Sequence, residues 1–117
     1  MGTAMTDLVP KILLVDDKPM NLRLYRMILE PLSAEILEAE SGVDALQAVQ
    51  ENDFALVILD CSMPGMDGFA TARQLRLLDR ASRVPIIFFT AEYTSQVDIR
   101  EGYELGAVDF GGPTVIH

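Results

Sequence analysis

The sequence predicts one α/β domain built on a doubly wound, five-stranded parallel sheet. Three observations carry this. Uninterrupted apolar runs at 12–15 (ILLV), 55–59 (ALVIL) and 86–89 (IIFF) have the branched and aromatic character of strands covered on both faces. The segments between them carry their apolar residues at helical rather than alternating spacing. The length, 117 residues, suits a single hydrophobic core.

Taken in order, the first strand, 12–15, is followed at once by Asp16 and Asp17. A helix follows, with Met20, Leu24, Met27 and Ile28 as its apolar stripe and Met20 and Met27 expected as core filler, and Pro31 ends it. A weaker strand at 35–39 leads to Ser41, which with Asp44 resembles a capping box opening a helix that carries Ala45, Leu46 and Val49. The strand at 55–59 is followed directly by Asp60, then by 64–68 (PGMDG), too rich in turn residues for anything but a loop. Met63 and Met66 are expected to shape that loop. Phe69, Ala72 and Leu75 mark a third helix, and Arg73, Arg76, Arg80 and Arg83 read as its solvated face. The strand at 86–89 ends on Thr90. Ser95 and Asp98 start a fourth helix weakened by a central Gly102, Gly106 stops it, and 107–110 (AVDF) is the fifth strand. Alternation of strand and helix throughout is the signature of a parallel sheet.

Composition narrows the function. Nine Lys and Arg against 18 Asp and Glu give a net charge of −9, which disfavours nucleic-acid binding, because phosphate backbones are held by clustered cations. A protein partner is expected instead. The single cysteine, Cys61, cannot pair internally, and a lone thiol suits a reducing compartment, so the expected location is cytoplasmic. No apolar run approaches the roughly 20 residues that span a bilayer, and the N-terminus lacks a secretory pattern, so no membrane role is expected.

The chemistry lies in where the acids fall. In an open parallel sheet the carboxyl ends of the strands share one edge, where ligands collect, so Asp16, Asp17, Asp60 and Thr90 can converge. Three carboxylates packed together repel one another unless a cation offsets them, which implies a divalent metal. Mg²⁺ suits the set, since it takes oxygen ligands and is usually held by one or two carboxylates together with phosphate oxygens. An ionised Asp60 is then a nucleophile that needs no base, able to form an aspartyl phosphate while Thr90 donates to the phosphoryl oxygens. Taken alone, Asp16 and Asp17 would read as a helix cap and its neighbour, and Thr90 as a strand-end hydroxyl bonded to backbone.

The stretches ILLVDDKPMNL, LVILDCSMPGMDGF, PIIFFTA and ELGAVDF, in this order and spacing, resemble the successive signatures of bacterial response-regulator receiver domains. The resemblance implies a flavodoxin-like strand order, 2-1-3-4-5, and a division into an N-terminal extension (1–10), a receiver domain (11–110) and a tail outside the family pattern (111–117). It implies that Asp60 is the phosphoacceptor, that Asp16 and Asp17 build the Mg²⁺ site with the Ser62 carbonyl completing it, and that Thr90 contacts the phosphoryl group. Phe110 falls at the family's aromatic switch position, and Ser62 and Glu92 fall where side chains tune phosphoryl loss. The implied role is a signalling phosphoprotein rather than an enzyme, with at most self-phosphorylation and autodephosphorylation. It would be loaded by a histidine kinase, a phosphotransfer protein or a small phosphodonor, and would switch an output domain or downstream protein. Asn21 and the GAVDF ending resemble receivers joined to kinases or cyclic-dinucleotide enzymes, which implies a piece of a larger protein.

After the fifth strand the sequence departs from the family, whose members continue into a Lys-Pro pair and a fifth helix. Here the chain reads GGPTVIH over 111–117, with no lysine. A hydrogen bond to a charged group is worth about 1.5–3 kcal/mol, so the phosphorylated state is expected to be weakened by roughly tenfold to a hundredfold. A missing helix would leave apolar sheet uncovered, so self-association is expected. Two rival readings share the residues: a phosphorylation-independent pseudo-receiver that binds proteins, favoured by the absent lysine, and a metal-dependent aspartyl phosphatase. Adjacent rather than alternating aspartates after the first strand argue against the phosphatase. Lys18, beside the acids, reads as a surface lysine, and Cys61 and His117 are given no role.

Overall fold

The computed structural model describes residues 9–89 and the backbone of 107–111. Five strands, β1 (Lys11–Val15), β2 (Glu35–Ala39), β3 (Leu56–Asp60), β4 (Ile86–Phe89) and β5 (Ala107–Gly111), form one sheet in the order β2-β1-β3-β4-β5. Every neighbouring pair is parallel. The predicted order therefore holds. The third strand is one residue out of phase with its apolar run: Ala55 precedes it, and Asp60 is its last residue, paired with Phe89, rather than the first residue after it. The segment predicted as a fourth helix and the tail at 112–117 lie outside the described residues.

Among the described residues three α-helices connect the strands, α1 (Pro19–Leu29), α2 (Gly42–Glu51) and α3 (Gly68–Arg76). Each start has a local cause. Pro19 occupies the first turn of α1, where its fixed φ suits the helix and its missing N–H costs nothing. At α2 the Ser41 hydroxyl accepts from the Asp44 N–H at 3.1 Å. At α3 the cap is Asp67, inside the segment read only as loop, whose carboxylate accepts from the Ala70 N–H at 2.8 Å.

Alternation along β1 divides the core. Leu13 and Val15 face α2 and α3 with Val57, Leu59, Ile86, Phe88, Val49 and Leu75. Ile12 and Leu14 face α1, packing with Leu22, Tyr25 and Ile58. The buried stripe of α1 is not the predicted one. Met20 and Met27 are 76% and 66% exposed, and Leu24 and Ile28 also face outward, while Leu22 and Tyr25 are buried. Two apolar stripes exist on this helix, and the one carrying Leu22 and Tyr25 packs against Ile12, Leu14 and Ile58 of the sheet. Met63, expected only to shape a loop, is buried in the α2–α3 side of the core. The arginine row also departs from a plain solvated face. Arg76 donates to the carbonyls of Ala81 and Val84 at 3.0 and 2.7 Å, tying the end of α3 to the segment that follows, and Arg80, in the 3-10 turn Asp79–Ala81, donates to Asp53 and to the Gln50 carbonyl.

Candidate functional site

The strand order reverses between β1 and β3, and the carboxyl ends of these two strands carry the acids. Parallel pairing sets Val15 beside Leu59, so the residues that follow emerge side by side. Asp16 is anchored through its backbone, whose N–H donates to the Ala39 carbonyl at 3.1 Å, and its side chain is fully buried. Oδ2 accepts from the Tyr25 hydroxyl at 2.9 Å and the Asn21 amide at 3.0 Å, and Oδ1 from the Lys18 N–H at 2.9 Å. Asp17 is partly exposed and pairs through Oδ1 with the Lys18 ammonium at 3.3 Å.

Asp60 is 5% exposed. Its Oδ1 accepts from the Ser62 N–H at 3.1 Å, whereas Oδ2 is buried without a hydrogen-bond partner among the described residues. Oxygen atoms of Asp16, Asp17 and Asp60 lie within 4.8 Å of one another. Burial pushes the Asp60 carboxyl up to about 6, and the neighbouring Asp16 and Asp17 charges add to this, while the Ser62 N–H and Lys18 act against it. Burial, then the Asp16 carboxylate, push the Tyr25 hydroxyl far above its ordinary value. The hydrogen bond to Asp17 raises the Lys18 ammonium.

A buried carboxylate oxygen with no partner among the described residues, inside a triad of acids, is an unfavourable arrangement that a hard divalent cation would offset. The all-oxygen donor set suits Mg²⁺. The loop after Asp60 is shaped for close approach. Gly65 has φ +75°, a region that side-chain-bearing residues rarely adopt. At Gly68, whose N–H donates to the Cys61 carbonyl at 3.1 Å, a Cβ would lie 2.2 Å from the Asp60 carbonyl oxygen. Only glycine lets the start of α3 pass this close to the end of β3.

The structure thus brings Asp16, Asp17 and Asp60 together, with the Ser62 backbone beside them. Thr90 and Glu92 lie outside the described residues. Phe110 stands in β5 with its backbone paired to Phe88, its side chain outside the described residues. Sequence reasoning overlooked Tyr25, the partner of Asp16. The available signal was a polar-tipped aromatic two turns into the helix that leaves the acidic pair, on the side of Leu22.

Residues 12–110 match the family described as "Response regulator receiver domain". The transcriptional regulatory protein SrrA of Staphylococcus aureus is 42% identical over 102 residues, which cover 86% of this chain and 40% of SrrA. The chain spans less than half the length of the first curated relatives it matches, 10% of one and 40% of the next. The chemotaxis protein CheY4 of Vibrio cholerae superposes with a TM-score of 0.83 at 29% identity, covering 92% of this chain and 89% of its own. The receiver domain of the sensor histidine kinase PA1611 from Pseudomonas aeruginosa PAO1, solved with a magnesium ion coordinated in its active-site cleft, gives a TM-score of 0.78 at 27% identity, covering 92% of this chain and 88% of its own. Among the described residues no helix is long and apolar enough to cross a membrane.

Proposed function

The chain belongs to the response regulator receiver domain family, a family of signalling phosphoacceptors, and from that premise we propose that Asp60 takes the phosphoryl group in a Mg²⁺-assisted transfer. The observation that carries this is the Oδ2 of Asp60, buried beside Asp16 and Asp17 and without a hydrogen-bond partner among the described residues. A carboxylate oxygen of Asp60 forms the new bond to phosphorus. The bond to the donor, P–N in a phosphohistidine or P–O in an acyl phosphate, breaks with its electron pair leaving on the donor. Asp17 and Asp60, with the Ser62 carbonyl and Asp16, would hold Mg²⁺, which when bound offsets the clustered charge and the charge on the phosphoryl oxygens.

The chain's own residues prepare the acceptor. The Ser62 N–H holds Oδ1 of the Asp60 carboxylate, while Oδ2 has no hydrogen-bond partner among the described residues. Burial excludes competing water hydrogen bonds from that oxygen. Thr90 is assigned to the phosphoryl oxygens, Phe110 to the switch, and Ser62 and Glu92 to the rate of phosphoryl loss, all on the family's motif positions. The donor is a histidine kinase, a phosphotransfer protein or a small phosphodonor, and the receiver of the signal is an output domain or downstream protein. Exposed Met20, Leu24, Met27 and Ile28, with half-buried Ile87 and Phe89, are apolar surface that a second copy can cover, so self-association stays part of the reading. Light scattering over a concentration series that shows only monomer would remove it.

The test of the acceptor is incubation with acetyl phosphate, with Mg²⁺ or with chelator, followed by intact mass. A Mg²⁺-dependent phosphoryl adduct, absent from Asp60→Asn, is the expected result. No adduct under either condition favours the pseudo-receiver, the reading that draws on the absence of lysine from 111–117. Turnover of added phosphate esters would instead indicate the phosphatase.

A further inference from the structure

Asp16 is the most deeply held of the three acids. A carboxylate has about four lone-pair positions. Both on Oδ2 are taken, by the Tyr25 hydroxyl and the Asn21 amide, and one on Oδ1 by the Lys18 N–H, so among the described residues a single position on Oδ1 is left. Tyr25 is itself immobilised. Its ring is 3% exposed, packs with Ile12, Leu14, Leu22 and Ile58, and meets the Phe89 ring edge-on, with centroids 4.7 Å apart at 64°. A tyrosine has only two side-chain torsions, so a fixed ring fixes where its hydroxyl can donate.

We propose that Tyr25 is a positioning residue that clamps the Asp16 carboxylate and thereby makes the acidic site selective for Mg²⁺ over the larger Ca²⁺. This rests on the reading above that the three acids hold a divalent cation. Selectivity between these ions is set by cavity size, ligand number and ligand flexibility. Mg²⁺ is served by short, near-octahedral single-oxygen ligation. Ca²⁺ takes six to eight oxygens at longer distances and gains from carboxylates that swing to offer both oxygens. A carboxylate pinned at three points, two of them on one oxygen, cannot swing. Loss of the Tyr25 hydroxyl frees one position on Oδ2 and leaves Asp16 on Asn21 and the Lys18 N–H, loose enough to open the site to the larger ion. Asn21 alone does not supply the clamp, because it sits in the first turn of α1, half-exposed, without the ring packing that fixes Tyr25.

The experiment is calorimetric titration of the whole chain and of Tyr25→Phe with Mg²⁺ and with Ca²⁺ separately, with no phosphodonor present. Partners one shell out from a metal typically change affinity by about 10–100-fold. The expected result is that the ratio of Mg²⁺ to Ca²⁺ affinity falls about tenfold in Tyr25→Phe. An unchanged ratio in a folded variant overturns the proposal while leaving the acceptor reading intact, whereas a wild-type chain that binds neither ion overturns both. Should Tyr25→Phe not fold, the double variant Tyr93→Phe, Tyr103→Phe keeps the question open to measurement. The chain has three tyrosines and no tryptophan, so Tyr25 is then its sole emitter. A clamp kept with Mg²⁺ and pulled apart by Ca²⁺ predicts tyrosine emission that changes with Ca²⁺ and not with Mg²⁺; the same response to both ions overturns the proposal.

Discussion

At the scale of the residue, Asp60 is placed where its charge is least welcome in the bare chain, and that is what makes it available. Its folded-state pKa of about 6 stands above the ordinary carboxylate value of 3.8. The folded chain therefore binds the Asp60 proton more tightly than the unfolded chain does. Below about 4 both states are protonated and nothing is lost; between about 4 and 6 stability falls as pH rises, and above 6 the whole cost is present. The shift corresponds to about 2 kcal/mol after allowance for relaxation around a buried group. Asp60→Asn is accordingly expected to be more stable than wild type by about 2 kcal/mol at pH 7 in chelator, with the difference vanishing near pH 4. Urea unfolding at the two pH values measures it, and a gap independent of pH would contradict the assignment. The carboxylates at 16, 17 and 60 were legible as a cluster because each follows or ends an apolar run. Tyr25 was not, because hydrogen bonding between a helix and a preceding loop leaves no periodic trace.

At the scale of the element, the loop between β3 and α3 is the most demanding piece of backbone near the site. Gly68→Ala would set a methyl against the Asp60 carbonyl, at a separation atoms do not tolerate, so the helix start or the strand end must shift. Overpacking of this kind typically costs about 1–3 kcal/mol. Urea unfolding is expected to show that loss, and acetyl phosphate labelling is expected to slow in the same variant because Asp60 moves with its own carbonyl. Gly65→Ala, strained only through its own φ, is expected to lose stability by about 1 kcal/mol with labelling less affected. Strands and helices were legible here from period and punctuation, with the cap at Ser41 read correctly. The orientation of α1 was not: Met20, Leu24, Met27 and Ile28 form as good an apolar stripe as Leu22, Tyr25 and Leu29, and periodicity cannot rank two stripes on one helix.

At the scale of the whole molecule, β1 runs into Asp16 and Asp17 and β3 ends on Asp60 at a single sheet edge, and the fold holds these charges together against their repulsion. Binding of a cation to the folded state alone stabilises it by mass action, about 2.7 kcal/mol when the ion stands at a hundred times its Kd. Thermal unfolding is expected to show Tm rising by several degrees in saturating Mg²⁺, the rise being reversed by chelator and largely absent in Asp17→Asn. A Tm indifferent to Mg²⁺ in wild type would argue against the acids as a cation site. Phosphoryl transfer, the pH response of Asp60 and the Mg²⁺-dependent Tm all draw on one cluster, so Asp60→Asn should abolish the first, flatten the second and diminish the third.

Much of this protein was determined by its sequence alone. Buried central strands are largely apolar and the helices between them repeat near 3.6, so the alternation of strand and helix and the placing of Asp16, Asp17 and Asp60 at strand ends follow from local rules, while the order of the sheet was implied by the resemblance of the motifs. Tertiary structure alone decided which stripe of α1 faces the core and that Tyr25 and Asn21 take both lone pairs of Asp16 Oδ2. These depend on how a helix is rolled and where a loop closes, quantities set by packing against distant segments, and no run of neighbouring residues encodes them.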